Sequence, residues 1–104
     1  MAERKARRLT SEDALELLLE GNKRFVEGNL AHPNHCQESR EGVAIGQEPI
    51  AVVLTCADSR VPPVDIFDQG IGDIFVVRVA GNIIGDHTLG SIEYGVVHLN
   101  TALV

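Results

Sequence analysis

The six residues TCADSR, at positions 55–60, gather the most reactive side chains of this chain into one short stretch. Cys56, Asp58 and Arg60 alternate there. A thiolate is both a nucleophile and a soft metal ligand. A carboxylate is a hard ligand or a proton acceptor, and a guanidinium can grip it through two parallel N–H bonds. Two residues apart in a tight turn, Asp58 and Arg60 are close enough for such a charge-assisted pair. The pair would keep Asp58 ionised and fix its direction. Thiolate, oriented carboxylate and open backbone amides together make a metal half-site. Zinc takes four ligands, so these positions alone do not complete one. The plain alternative for Cys56 is packing, since free cysteine also serves as a small buried apolar side chain.

Other candidates carry less. HPNHC clusters His32, His35 and Cys36 at chelating separations, but no second ligand pair stands in frame. GIGDIF lacks the third glycine of a dinucleotide loop and precedes an apolar run instead of following one. His98 falls late in a helical stretch, where a cation complements the helix end. Ser59 has no evident base, and no G-x-S-x-G elbow is present.

The reactive turn must be positioned by the elements around it. IAVVLT, residues 50–55, is continuous and β-branched, the pattern of a strand buried on both faces in a parallel sheet. DIFVVRVA, residues 73–80, is a second such run. Between them VPPVDIFDQG reads as a short helix opened by prolines. Upstream, TSEDALELLLEGNKRFVEG reads as a helix. Thr10 is its N-cap with Asp13 three residues on, Leu15, Leu18, Leu19, Asn22, Phe25 and Val26 share one face, and Gly28 closes it. Residues 29–49 form a long loop with a short helix around 39–46. After the glycine-punctuated GNIIGDHT, LGSIEYGVVHLN sets Leu89, Ile92, Val96 and Leu99 on one helical face. TALV, residues 101–104, looks like the opening of a third strand. Helices alternating with buried strands predict an open α/β fold with parallel strands and right-handed crossovers. Ligands in such sheets collect at the carboxyl ends of strands. Cys56 is at one such end, and AGN, residues 80–82, is at another.

Composition narrows the classes. The 104 residues make a single domain, 10–104, behind a basic disordered tail over 1–9. A chain of this length buries only about 60–70% of its unfolded surface. Net charge is −6, with four of nine basic residues in the first eight positions, so the body is acidic and lacks the basic stripe of a nucleic-acid surface. No apolar run is long enough to span a membrane. No apolar stretch follows the basic start to make a secretory signal. Two cysteines make no disulfide framework, and reduced thiols in the cytoplasm are the expectation.

CADSRVPPVDIFDQGIGDIFVVRVAGNI followed by GSIEYGVVHL resembles the β-class carbonic anhydrases. The helix ALELLLEGNKRFVEG and the strand PIAVVLTCADSR resemble the same family, so the likeness runs from about Ser11 onward. It implies an α/β domain around a parallel sheet, working as a homodimer or larger assembly with an N-terminal helical arm across the partner. It also implies zinc-dependent, reversible hydration of CO2 to bicarbonate.

Position by position, the resemblance makes Cys56 a zinc thiolate. It makes Asp58 the carboxylate that orients the zinc-bound water or, in a closed form, ligates zinc itself. Arg60 becomes the arginine that holds Asp58 off the metal. Gln47 matches a glutamine that hydrogen-bonds substrate, and Phe75 an apolar wall residue often supplied across the dimer interface. The family takes its remaining ligands, a histidine and a cysteine with two residues between them, from the strand that follows the SIEY helix. Val104 lies inside that strand. The resemblance therefore implies half a zinc site in these 104 residues, with weak or absent zinc and little activity for the chain by itself. Two other readings share the motif: a non-catalytic oligomerising module that keeps the fold, and a zinc hydrolase acting on COS or CS2.

Overall fold

The computed structural model describes residues 9–104. The basic tail expected over 1–9 lies outside them, apart from Leu9, which packs against the core. Strand β1 (Ala51–Thr55) and strand β2 (Ile74–Arg78) pair in parallel, from Ala51 opposite Ile74 to Thr55 opposite Arg78. The two runs read as buried strands are thus adjacent, with trimmed ends. Their crossover carries a single helical turn, which begins at a proline.

The first helix, α1 (Ser11–Val26), starts at a reciprocal cap. Thr10 Oγ1 accepts from the Asp13 amide, and Asp13 Oδ2 accepts from the Thr10 amide, both at 3.1 Å. Helix α2 (Gln37–Gly42) begins two residues before the expected position and ends sooner. Helix α3 (Pro63–Ile66) is the crossover turn, and α4 (Asp86–Val97) follows β2 after a 3-10 turn at Ala80–Asn82.

Strand alternation sends the two faces to different helices. Ala51 and Ile74, with Val53 and Val76 behind them, join Ala14 and Leu18 of α1 and Val64 and Phe67 of the crossover in one core. Val52 and Phe75 face α4 instead, where Gly95 lies against both. The sheet is a layer between helices, which is why both strands are apolar without alternation.

The buried helix faces differ from those expected. In α1 the buried positions are Ala14, Leu18 and Gly21, whereas Leu15, Leu19, Phe25 and Val26 are exposed. In α4 they are Thr88 and Gly95, with Leu89 and Val96 exposed. Small residues explain both offsets. A Cβ on Gly21 would stand 1.7 Å from the Phe67 carbonyl oxygen, and one on Gly95 2.6 Å from Val52 Cγ2. The helices lie so close that only glycine fits at the contact, and the large apolar side chains turn outward.

Residues 101–104 adopt no strand. The expected pairing reduces to a single backbone bond, from the Val52 amide to the Leu103 carbonyl at 2.9 Å, on the side of β1 not taken by β2. Among the described residues no helix is long and apolar enough to cross a membrane.

Candidate metal half-site

The end of β1 is held before it turns. The Val79 amide donates to the Thr55 carbonyl at 3.1 Å and the Ala57 amide to the Val79 carbonyl at 3.3 Å, so pairing continues past both strands. Cys56 is thereby fixed at the carboxyl edge of the sheet. Beside it the chain after β2 makes its 3-10 turn, with Gly81 at a φ of +73°, a left-handed conformation open mainly to glycine. That turn aims the Gly81 amide at Cys56 Sγ, at 3.2 Å. Amides of Asp58 and Gly81 directed at the sulfur hold the Cys56 thiol below its ordinary range, against partial burial and the nearby Asp58 charge.

Asp58 and Arg60 form the expected pair. Arg60 Nε donates to Asp58 Oδ1 at 3.0 Å and Nη2 to Oδ2 at 2.7 Å, while the Arg60 amide adds a third bond to Oδ1 at 2.8 Å. The Arg60 side chain and amide keep the Asp58 carboxyl below the usual carboxylate range. The carboxylate is therefore ionised and committed to its partner, while the thiol beside it is only partly buried. A second arginine, absent from the sequence-level candidates, also reaches this turn. Arg78 donates from Nε to the Cys56 carbonyl at 3.0 Å and from Nη2 to the Asp58 carbonyl at 2.6 Å. Its only trace in the sequence is a charge ending an otherwise apolar strand.

The other candidates lie elsewhere. Gln47 is exposed in the segment before β1 and lines a shallow hollow with Val43, Ile45, Ile71 and Gly72. That hollow is at the amino edge of the sheet, opposite Cys56. Phe75 sits mid-strand against α4, its ring 5.9 Å from that of Tyr94, which in turn stacks on His98 at 5.0 Å. Within one chain neither Gln47 nor Phe75 joins the turn at Cys56.

The HPNHC loop is pinned at the amino edge too. Asp68 accepts from the amides of Ala31 and His32 at 2.8 and 3.1 Å and pairs with Arg24. Asp73 accepts from Asn34 Nδ2 and from the Gly70 amide. His35 Nε2 is bonded to the Gln69 carbonyl at 3.0 Å, and exposed Cys36 meets its near neighbours Ser39 and Glu38. These bonds hold His32, His35 and Cys36 away from Cys56. Among the described residues no three His, Cys, Asp or Glu side chains converge as a metal-binding group. One thiolate and one carboxylate already gripped by arginine do not by themselves fit zinc.

The sequence model of the carbonic anhydrase family matches residues 51–104. The chain is 54% identical over 91 residues to carbonic anhydrase 2 of Mycobacterium tuberculosis, covering 88% of this chain and 44% of that protein. It is 48% identical over 91 residues to a carbonic anhydrase of Mycolicibacterium smegmatis, with the same coverage. Among solved structures it is similar to the β-carbonic anhydrase CcaA, with a TM-score of 0.59 and 33% identity over 84% of this chain and 44% of that one. It is also similar to a tetrameric β-carbonic anhydrase of Sordaria macrospora, with a TM-score of 0.55 and 30% identity over 84% and 44% of the two chains. The chain thus spans less than half the length of these relatives. The matched region begins at β1 and contains the turn at Cys56, Asp58 and Arg60, and by sequence and fold together the chain belongs to the β-class carbonic anhydrases.

Proposed function

We propose that this chain carries the first half of a zinc site whose parent reaction is the reversible hydration of CO2 to bicarbonate. The observation that carries the reading is the three-point grip of Arg60 on Asp58 beside an amide-stabilised Cys56 thiol, at the carboxyl end of a parallel strand. Cys56 supplies a sulfur whose pKa the Asp58 and Gly81 amides hold below the ordinary thiol range. Asp58, committed to Arg60, supplies a fixed acceptor beside it. Gly81 donates to the sulfur and limits its direction.

Gln47 and Phe75 act as substrate-side residues only from a second copy, because their own chain sets them away from Cys56. A second copy also accounts for the outward apolar residues Leu15, Leu19 and Val26 of α1. Self-association of this chain is therefore part of the proposal.

Cobalt(II) titration tests the role of Cys56 without relying on turnover. A thiolate-to-cobalt absorption band, weak because the site is partial, is expected in the wild type and in Cys36→Ser, and is absent from Cys56→Ser. A band that survives Cys56→Ser and disappears in Cys36→Ser would transfer the metal to the loop and overturn the assignment.

A further inference from the structure

Arg78 ends β2, opposite Thr55, and is exposed. A solvated surface cation would wander. This guanidinium instead reaches over the end of β1 and spends two N–H groups on two carbonyls of one turn, those of Cys56 and Asp58. We propose that Arg78 is a positioning residue of the half-site, clamping the backbone at positions 56–58 so that the Cys56 sulfur and the Asp58 carboxylate keep their directions.

The argument follows peptide planes. The Cys56 carbonyl shares a plane with the Ala57 amide, which donates to the Val79 carbonyl. Holding the carbonyl therefore holds that amide. The Asp58 carbonyl shares a plane with the Ser59 amide, so the second bond fixes the chain on the far side of Asp58. The peptide between Ala57 and Asp58 is thus flanked on both sides by held planes. Its N–H is the Asp58 amide, which is directed at the Cys56 sulfur. The same clamp sets the base of the Asp58 side chain, on which the bonds to Arg60 depend. The two bonds leave from different nitrogens of one planar guanidinium, Nε and Nη2, a spacing that lysine, with all its donors on a single nitrogen, does not reproduce. Arg78 hydrogen-bonds backbone carbonyls, not the thiol or the carboxylate; beyond that clamp its charge helps hold the Asp58 carboxyl low, a contribution Arg78→Lys retains.

This inference rests on the reading of Cys56 and Asp58 as the functional pair, but its test is independent of metal. Amide hydrogen exchange is followed by NMR in the metal-free wild type, Arg78→Ala and Arg78→Lys. The reporters are the Gly81 and Arg60 amides, which bond to Cys56 Sγ and Asp58 Oδ1. The references are Ile50 and Val52, whose amides bond elsewhere. Both variants are expected to exchange about tenfold faster at Gly81 and Arg60, the scale of losing a charge-assisted bond, with Ile50 and Val52 little changed. Unchanged protection at Gly81 and Arg60 would overturn the proposal. So would an equal loss at all four amides in both variants, which marks a general fold contribution. If Arg78→Ala does not fold, Arg78→Lys, which keeps the charge, decides by the same ratio. Failure of the cobalt band with a positive exchange result would reject the zinc reading and leave the clamp standing; the reverse pattern would reject only the clamp.

Discussion

A carboxylate buried among donors reports its environment through acid. Asp68 is 2% exposed and anchors the 29–36 segment to the turn before β2. Burial alone would raise its pKa, but Arg24 and the amides of Ala31 and His32 outweigh it and leave the carboxyl below the usual range. A depressed folded pKa gives stability that is fully present above the unfolded value of about 4 and is lost as pH falls through the folded value. Asp68→Asn is therefore expected to lower unfolding free energy at pH 7 by about 2–3 kcal/mol. The gap between variant and wild type should close below pH 4, as read from urea melts across pH. At this scale the sequence was informative where partners are near neighbours. Asp58 and Arg60, two apart, were legible as a pair. The bonds of Asp68 to Arg24 and of Arg78 to Cys56 join residues 44 and 22 positions apart, so no local pattern announces them.

Helix packing was legible as presence but not as orientation. Periodicity located α1 and α4 and identified the two strands, because a 3.6-residue period and an unbroken β-branched run are local signals. It mistook which faces are buried, because it weighs large apolar residues and gives glycine no weight. Close approach at Gly21 and Gly95 governs instead, and this makes a graded prediction. Gly95→Ala drives a methyl to 2.6 Å from a valine side chain that can shift, and should cost about 1–3 kcal/mol. Gly21→Ala meets the backbone carbonyl of Phe67, which has no rotamer to yield, and should cost more than Gly95→Ala. Gly90, inside α4 with nothing within 4 Å of the place a Cβ would take, is the control: Gly90→Ala should stabilise by about 0.5–1 kcal/mol. Chemical denaturation of the three variants gives the order. A Gly21→Ala protein as stable as wild type would refute the close-packed contact.

Taken whole, the molecule has more apolar surface than its own core can use. Leu15, Leu19, Phe25 and Val26 on α1 and Ile83, Ile84, Tyr94 and Val97 around α4 are all at least 40% exposed. A second copy covering α1 is the proposed remedy, and Leu19→Glu, which puts a charge on a residue 58% exposed in the single chain, should shift sedimentation toward monomer with the fold intact. An unchanged mass distribution would remove α1 from the interface. The proposed zinc site is distributed in the same sense: it draws on the Cys56 sulfur and the Asp58 carboxylate paired with Arg60, and among the described residues no three His, Cys, Asp or Glu side chains converge. Zinc per chain, measured by elemental analysis of the purified wild-type protein after dialysis against limiting zinc, with stopped-flow CO2 hydration on the same sample, probes this most directly. Zinc well below one per chain, with no hydration above background, is the predicted result. One tightly held zinc per chain, with hydration abolished in Cys56→Ser, would contradict it by showing that these residues complete a working site.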